Sequence, residues 1–389
     1  MTRRRDASVE RTRPAASAPG WRRVLVLHIG SLGDTVLSLP ALHALRAAVG
    51  PDARITLLHD APPAGRVDPL AVLPAGLVDD ARTFPGPRHA GSPTAPSAVA
   101  RAADVATRSA AAVALLAQLR RDRYDAVVDL TLTERPLRAR RRDAAFFAVA
   151  GIGRRLGFDG DAVGLHEADA RVARLAAAGL VPADPTPTAA SGPVWEASAE
   201  AAAEAAGWRT SAGIDPEADV VTVAPATLMD AKRWPVDRWA ALGAALVAAG
   251  RVPVVVGGPA DRTDGDALVA AWGGGANAAG ALSVAGSGAL MAAATCHVGL
   301  DTGTTHLAAA AGTPVVALYS QRAPVERWAP MGVGHRVLTA APVACAGCFA
   351  VTCPEAGHPC MRHLALDDVL EAMARAQAAA APSAAGERR

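Results

Sequence analysis

The chain has 389 residues, of which 51% are apolar, and a formal net charge of +2. This length is too great for one ordinary core and suits two domains, and the small net charge gives no field that favours nucleic acid or a strongly acidic partner. With two tyrosines and five phenylalanines there is little to stack on bases, so no nucleic-acid partner is expected.

Both ends of the chain look unlike folded or membrane-spanning elements. No apolar run approaches the roughly 20 residues that a bilayer span needs, so no transmembrane segment is expected. The arginines of residues 1–20 are not followed by the apolar region of a secretory signal. We therefore expect a disordered arm over 1–20, a flexible tail over 376–389 and a cytoplasmic protein. A solvated arm is favoured over one weakly attracted to anionic lipid headgroups.

Strand-like and helical stretches alternate after this arm. The run RVLVLHI predicts a strand, Leu39–Val49 a helix and ARITLLH a second strand, an order typical of βαβ units on a parallel sheet. Residues 61–109 are rich in Pro, Ala and Gly without a clear period, and we interpret most of them as a long surface connection. A helix then leads into a buried strand that ends near Leu130.

A second change of composition divides the chain. The segment LVPADPTPTAASGPVW, with four prolines, is the best candidate linker. Beyond it the alternation restarts with DVVTVAP, a helix with Pro235 in its first turn and Gly250 past its end, and RVPVVVGG. Ligands should bind at the carboxyl ends of the strands. The predicted domains are doubly wound, an N-terminal one over 21–182 and a C-terminal one over 196–375, with a linker over 183–195 and a cleft between them.

The segment LDTGTTHLAAAAGTP has the features of a phosphate-binding loop. Asp301 or Thr302 can cap the following helix, and Gly303 lets the backbone approach a ligand. The helix start offers free N–H groups beside the hydroxyls of Thr302, Thr304 and Thr305. Capping alone is the commoner role of such residues, so both interpretations stay open.

Two further strand-end loops favour a nucleoside diphosphate. In APATLMDAKRWP, Thr227 and Lys232 follow a strand, and Lys232 can place its charge against a diphosphate. In GGPADR, Gly257 and Gly258 precede Asp261, whose carboxylate can bind ribose hydroxyls or cap the next helix. Three such loops on one edge of a sheet indicate a nucleotide diphosphate better than any one of them does.

The strand-end loop of the first half, GSLGD, has a different character. Its glycines, Gly30 and Gly33, lack the spacing of the dinucleotide fingerprint, which disfavours a dehydrogenase. Asp34 follows the strand at a point that should face the cleft. There it can accept a proton from an attacking hydroxyl as a general base, or it can simply cap the next helix.

Several segments occur together in a recognisable order: VLVLHIGSLGDTVLSLPALHALR, APATLMDAKRWPVDRWAALG, VVVGGPADR and VGLDTGTTHLAAAAGTPVVALYS. Together they resemble the bacterial heptosyltransferases, family 9 of the glycosyltransferases. RYDAVVDL and GIGRRLGFDG resemble that family's first domain. The resemblance runs from Val24 to about Ala372 and implies an α/β fold of GT-B architecture. It implies two Rossmann-like domains, the first binding mainly the acceptor and the second the nucleotide sugar.

The resemblance also implies a reaction, the metal-independent, inverting transfer of a sugar from a nucleoside diphosphate sugar, typically ADP-heptose, to a hydroxyl of a lipopolysaccharide core. By motif, Asp34 matches the family's catalytic base, and Lys232 with the Asp301–Gly303 loop matches its donor-phosphate contacts. Asp261 is a looser match to the acid that holds the ribose. His306 matches a histidine that contacts the donor or packs in its support. The implied acceptor is a glycan or glycolipid, which would place the protein at the inner face of the membrane, and catalysis would need no cofactor.

Two positions depart from the family pattern. His28 stands where the family often has lysine or arginine, and Gly30 where serine is common, which affects the choice of acceptor and sugar more than the reaction type. Ser31, Arg138 and Arg141 are candidate acceptor contacts, the arginines lying in the run RPLRARRRDAAFF. Arginine forks suit phosphates and carboxylates, although a solvated helix face explains the run equally well.

Four of the five cysteines lie close together in the segment CAGCFAVTCPEAGHPC, at Cys345, Cys348, Cys353 and Cys360. The first two have metal-ligand spacing, and four thiols can form a structural zinc site. Similar cysteine-rich segments occur in the family, which implies a structural role. Reduced thiols are the default in the cytosol. Cys296 is expected to be a small core residue.

The sequence leaves three candidate functions. A nucleotide-sugar glycosyltransferase is the favoured one. A non-catalytic nucleotide-sugar-binding module is the second, and the presence of both Asp34 and Lys232 argues against it. The third is a sugar-nucleotide epimerase of the same architecture, which would convert the donor with no acceptor present.

Overall fold

The computed structural model describes residues 20–62, 68–84, 98–160, 164–188 and 191–380. Two parallel sheets with helices packed on their faces make up this part of the chain. The predicted arm lies outside the described residues, apart from Gly20. No helix among the described residues is both long enough and apolar enough to cross a membrane.

The first sheet has five strands in the order β3-β2-β1-β4-β5. Its central strand is buried along almost its whole length, as expected for a parallel sheet covered on both faces. The strands are β1 (Arg23–His28), β2 (Arg54–Asp60), β3 (Asp80–Phe84), β4 (Ala126–Asp129) and β5 (Arg154–Leu156). The helices are α1 (Leu32–Val36), α2 (Leu39–Val49), α3 (Ala98–Asp122), α4 (Leu137–Val149) and α5 (Glu167–Ala177).

The second sheet has six strands in the order β11-β10-β9-β6-β7-β8, which is the doubly wound order of dinucleotide-binding folds. The strands are β6 (Val220–Ala224), β7 (Val252–Val255), β8 (Ala276–Asn277), β9 (Cys296–Leu300), β10 (Val315–Leu318) and β11 (Arg336–Leu338). The helices are α6 (Ala199–Ser211), α7 (Val236–Ala248), α8 (Arg262–Trp272), α9 (Val284–Ala292), α10 (Gly303–Ala310), α11 (Val325–Trp328), α12 (Pro359–Arg362) and α13 (Leu366–Ala380).

The predicted α/β fold is confirmed, including the predicted helix at Leu39–Val49. The surface connection predicted over 61–109 is wrong in part, because β3 and the first turns of α3 fall inside it. Alanine-rich sequence has a high helix propensity even without a clear apolar period, and β3 pairs only with β2 among the described strands, so it carries little hydrophobic signal. The flexible tail predicted from residue 376 is wrong at its start for the same reason, since α13 runs to Ala380.

The strand order of each sheet reverses at one point, between β1 and β4 in the first sheet and between β6 and β9 in the second. Ligands of open α/β sheets bind outside the strand ends at such points. The loops that follow these four strands all contribute to one cleft between the sheets. The fold therefore brings the two reversal points face to face.

Candidate active site

A cleft of about 290 Å³ lies between the two sheets. Asp34 lines it from the first sheet, while Lys232, Asp301 and His306 line it from the second. Helices α1 and α10 both begin at the edge of the cleft, and their first turns contact each other. A Cβ atom on Gly303 would come within 2.9 Å of the Leu32 Cβ and 3.0 Å of the Gly33 nitrogen. Glycine at 303 is thus what permits the two helix starts to touch.

Asp34 is both a helix cap and a cleft residue. Its Oδ2 accepts hydrogen bonds from the Ser31 N–H at 2.6 Å and from the Ser31 hydroxyl at 2.9 Å. This reach back to the residue before the helix is a capping-box contact. The side chain is nevertheless only half-buried and borders the cleft. The two interpretations of Asp34 made from the sequence are therefore compatible in one conformation.

A buried arginine holds the backbone of Asp34 in place. Arg171, fully buried on α5, donates to the Asp34 carbonyl oxygen at 2.7 Å and to the Ser38 hydroxyl at 2.9 Å. The Ser38 hydroxyl donates to the same carbonyl at 2.9 Å. This carbonyl belongs to a short helix, and two donors on it fix the turn that carries the carboxylate.

His28 lies at the end of β1 and is also buried. Burial, followed by the charge of Arg171, lowers the pKa of His28 to about 3, so the imidazole is neutral at physiological pH. The family often has a cation at this position. Here the buried cation beside Asp34 is Arg171, which comes from α5.

The loop at Gly30 leaves no room for a side chain. Gly30 has φ +153°, and a Cβ there would lie 2.5 Å from the Asp34 Cβ and 2.5 Å from its Oδ2. The Gly30 N–H donates to Asp60 at 3.1 Å. The departure from the family's serine is therefore required by the way Asp34 packs against this loop.

Lys232, Asp301 and His306 form a charged cluster on the opposite wall. The Lys232 Nζ lies 2.6 Å from the Asp301 Oδ2 and donates to the Asp301 carbonyl oxygen at 2.9 Å. The His306 Nε2 is 3.7 Å from the Asp301 Oδ1. Burial raises the pKa of Asp301, but the nearby His306 and the charge of Lys232 outweigh it and bring the pKa to about 2. Asp301 is thus ionised at physiological pH and orients the lysine.

Among the described residues, no side chain caps the start of α10. Thr302 occupies the cap position, but its hydroxyl contacts the Thr304 hydroxyl at 2.9 Å instead of a backbone N–H. The buried His306 Nδ1 also has no hydrogen-bond partner within the described part of the chain. Backbone N–H groups at a helix start attract anions. With the Lys232 ammonium beside them, they offer a group of N–H donors suited to a phosphate.

Other predicted site residues lie outside the lining of the cleft. Thr227 accepts from the Met229 N–H at 3.2 Å, and Asp261 accepts from the Gly258 N–H at 2.8 Å, so each closes its own loop. Arg138 and Arg141 are exposed on α4. Ser31, by contrast, lines the cleft.

The arginine run on α4 contains a residue of a different kind. Arg140 is buried, with its Nε 3.6 Å from Asp129, and it donates to the Leu132 carbonyl oxygen at 3.0 Å. This arginine holds the loop after β4. The run is therefore neither a purely solvated face nor a uniform anion-binding surface.

Several residues that line the cleft were not identified from the sequence. Glu134 follows β4, Arg322 follows β10, and Phe349 comes from the cysteine-rich segment. Arg322 donates to the carbonyl oxygens of Ala350 at 2.8 Å and Phe349 at 2.9 Å, which places that segment beside the cleft. Position after a strand end could have indicated Arg322. Phe349 carries no such signal.

The four clustered thiols are all free. Cys360 is buried, Cys345 and Cys353 are half-buried, and Cys348 is exposed. Burial raises the pKa of the Cys360 thiol, and the other three lie near enough to add to this effect. Within the described residues, however, no three His, Cys, Asp or Glu side chains are arranged to hold a metal ion. The structural zinc site therefore stays a prediction. Cys296 is buried at the start of β9, as expected of a core residue.

Two doubly wound sheets with a polar cleft between their strand ends define the GT-B class of glycosyltransferase folds. In sequence, residues 112–358 match the family model described as glycosyltransferase family 9 (heptosyltransferase). This match covers more than half of the chain. The chain belongs to glycosyltransferase family 9.

Solved structures of that family have the same fold. A family 9 glycosyltransferase from Veillonella parvula DSM 2008 matches with a TM-score of 0.66 and 18% identity, over 92% of this chain and 97% of its own. The E. coli ADP-heptose LPS heptosyltransferase II matches with a TM-score of 0.64 and 20% identity, over 92% and 98%. The E. coli heptosyltransferase WaaC with ADP gives 0.60 and 19%, over 91% and 99%. No curated protein matches the sequence.

Proposed function

We propose that this glycosyltransferase transfers a heptose, with inversion and without a catalytic metal, from ADP-heptose to a hydroxyl of a glycan acceptor such as a lipopolysaccharide core. The observation that carries the proposal is the placement of Asp34 across the cleft from the cluster of Lys232, Asp301 and the start of α10. A base and a group of hydrogen-bond donors for the leaving diphosphate are the two features that such a transfer needs. The E. coli heptosyltransferase WaaC has been solved with ADP and with ADP-2-deoxy-2-fluoro heptose, which favours this donor.

The chemistry of each wall follows from its charges. In the transition state the sugar gains oxocarbenium character while negative charge grows on the leaving diphosphate. Lys232 and the N–H groups of α10 stabilise that charge, because they are held in place before it develops. Asp34 accepts the proton of the acceptor hydroxyl on the other face of the sugar. The Ser31 hydrogen bonds hold the carboxylate in position for this step.

The acceptor would enter from the first sheet. Ser31 borders the cleft, and Arg138 and Arg141 present exposed guanidinium groups on the helix that follows the Glu134 loop. Guanidinium forks bind phosphates and carboxylates well, which suits an anionic glycolipid. We also propose that the protein is cytoplasmic and acts as a peripheral protein at the inner face of the membrane. Thr227 and Asp261 are proposed to reach the donor's diphosphate and ribose once their loops rearrange around it.

A panel of nucleotide sugars tests the donor. A ligand that binds the folded state alone raises the melting temperature by mass action, so ADP-heptose should raise it more than UDP- or GDP-sugars do. Transfer to a deacylated lipopolysaccharide core should follow, unchanged by EDTA. Conversion of donor without acceptor would instead identify an epimerase, and donor binding without any turnover would identify a binding module.

The Asp34→Asn variant tests the base. Asparagine keeps the size and can still accept from Ser31, but it cannot take up a proton. We expect the donor-induced shift in melting temperature to stay as in the wild type, while kcat falls about 10²- to 10⁴-fold. Near-normal turnover would remove Asp34 from the mechanism.

A further inference from the structure

One arginine of the second half reaches across to the first half. Arg327, on α11, donates from Nη1 to Glu134 at 3.0 Å, and from Nε and Nη2 to the Glu167 Oε2 at 3.2 and 3.1 Å. Its Nη2 also contacts the Thr133 hydroxyl. The guanidinium lies 5.4 Å from the ring of Trp328, which lines the cleft. Arg327 thus joins the element after β10 to the loop after β4 and the start of α5.

Glu167, the central partner, is fully buried. Its Oε1 accepts from the Thr133 N–H at 2.9 Å and its Oε2 from the Thr133 hydroxyl at 2.6 Å. Its Oε1 also lies 3.4 Å from Arg171. A buried carboxylate is stable only with its charge paired and its oxygens hydrogen-bonded. Two arginines share this task, one from each half of the protein.

The second of these arginines, Arg171, is the residue that holds the Asp34 carbonyl at 2.7 Å. A continuous series of polar contacts therefore runs from Arg327 through Glu167 and Arg171 to the turn that carries Asp34. The helix α11 is also fixed within its own half, because the Tyr319 hydroxyl donates to the Trp328 carbonyl at 2.6 Å. Next to it, His166 of the first half donates from Nε2 to the Ala329 carbonyl at 2.8 Å, which is a further contact between the two halves.

We propose that Arg327 is a positioning residue that completes closure of the cleft and, through Glu167 and Arg171, fixes the turn bearing Asp34 opposite the donor. Separation of the two halves breaks the Arg327 contacts, since they join elements on opposite sides of the cleft. Glu167 then keeps Arg171 and Thr133 as its partners and draws Arg171 away from the Asp34 carbonyl. Closure and orientation of Asp34 are coupled in this way. The kinetic part of this inference rests on the proposed function, whereas the structural part does not.

The Arg327→Gln variant tests the kinetic part. It removes the charge and the fork while leaving the cleft lining intact. We expect kcat to fall about 10- to 100-fold, as for a misplaced reacting group, with the donor KM changed less than about threefold because Arg327 does not line the donor pocket. Arg327→Lys keeps the charge without the fork and should recover part of the rate.

A matched control is available within the second half. Arg251 makes a two-bond pair with Asp219, at 2.8 and 3.0 Å, on the amino side of its own sheet. Arg251→Gln therefore removes a comparable pair that does not cross the cleft, and it should leave kcat unchanged. Equal losses of kcat in the Arg251 and Arg327 variants would reduce the effect to general destabilisation and overturn the proposal.

A second readout needs no substrate. Small-angle scattering of the ligand-free Arg327→Gln protein should give a larger radius of gyration than the wild type and the Arg251→Gln control. Amide hydrogen exchange should speed up in α1 and at the start of α5. If the wild type transfers no sugar but these differences are found, the proposed donor or reaction is wrong and the closure contact stands. Wild-type scattering and exchange in Arg327→Gln would overturn the contact itself.

Discussion

Asp34 shows how one side chain can serve a local and a functional role together. Its Oδ2 takes both Ser31 hydrogen bonds, and among the described residues the other carboxylate oxygen has no hydrogen-bond partner. The capping contact still leaves Asp34 able to accept a proton, because a carboxylate has two oxygens and several acceptor sites. The cap therefore orients the group that we propose to act as the base.

Gly30 gives a prediction about that orientation. Gly30→Ala would place a Cβ 2.5 Å from Asp34 at a φ of +153°, so the carboxylate must move. We expect kcat to fall about 100-fold while the donor-induced rise in melting temperature is kept. The matched control is Gly50→Ala, where φ is also positive, at +84°, but where the added Cβ would meet no atom of the described residues within 4 Å.

Both variants should lose stability from backbone strain, by roughly 1 kcal/mol or more. Only Gly30→Ala should lose kcat, measured in steady-state transfer assays at a temperature where both remain folded. An equal kcat in the two variants would mean that Asp34 is not held against this loop.

The ion pair of Lys232 and Asp301 gives a second prediction. Lys232→Gln leaves Asp301 ionised and half-paired, so we expect a lower melting temperature and weaker donor binding. The double variant Lys232→Gln/Asp301→Asn removes both charges, and loss of one partner of a buried pair costs more than loss of both. The double variant should therefore regain melting temperature but not donor affinity, as measured by calorimetry and thermal unfolding. Recovery of affinity would show that Lys232 acts only as the partner of Asp301.

At the scale of elements, α1 and α10 touch at their first turns because Gly33 and Gly303 have no side chains. A Cβ on Gly33 would lie 3.2 Å from His306. This contact brings Asp34 of one half and the start of α10 of the other to the same cleft. Sequence alone identified each glycine as a place of close backbone approach or a loop residue, without indicating that they approach each other.

Two chemical states are predicted for the cysteine-rich segment, reduced thiols or a structural zinc site. The segment joins the Lys232 loop, since the Ala231 N–H donates to the Val351 carbonyl at 2.9 Å and His358 contacts the Ala231 carbonyl at 3.1 Å. The thiols lie near one another but not in ligating positions. Metal binding would therefore need a small rearrangement of this segment, and that rearrangement would also shift the Lys232 loop.

Metal analysis tests the predicted zinc site. If it exists, protein purified without chelators should carry about one zinc per chain, and removal of the metal should lower the melting temperature. Cys348→Ser should lose the metal. Five thiols that react with a thiol reagent in the unfolded protein, together with no bound metal, would instead establish the reduced state.

At the scale of the whole molecule, buried histidines make stability depend on pH. Burial lowers the pKa of His297 from 6.5 to about 3, and burial with the charge of Arg171 does the same for His28. Between these values the unfolded chain binds protons that the folded chain does not. The free energy of unfolding should therefore fall as the pH falls from 6.5 towards 3, by about 1.4 kcal/mol per pH unit for each histidine.

The variant His297→Gln separates this effect from general acid unfolding. Its absolute stability should drop, because His297 contacts the Thr222 hydroxyl at 3.0 Å. Its slope against pH should nevertheless be less steep than that of the wild type by about one histidine's share. Urea unfolding at several pH values between 4.5 and 6.5 measures both quantities. Parallel slopes would contradict a neutral, buried His297.

The secondary structure was largely readable from the sequence, since strands and helices follow from neighbouring residues. The apolar run of β1 and the start and stop residues of α7 gave those elements directly. The alanine-rich helix start at Ala98 and the short edge strand β3 were missed, because neither has a strong local period. Asp34, Lys232 and Asp301 were found through strand-end loops and family motifs. Glu134, Trp328 and Phe349 were not, because their place in the cleft depends on distant chain segments.

The sequence by itself determined two doubly wound halves with reactive residues at strand ends, because periodicity, caps and turn residues act over a few positions. Only the tertiary structure decided which of those residues meet. Glu167 and Arg327 are 160 positions apart, and their pairing depends on how two independent sheets are set against each other. Such a contact is the result of packing and charge burial over the whole molecule, and no local pattern of residues specifies it.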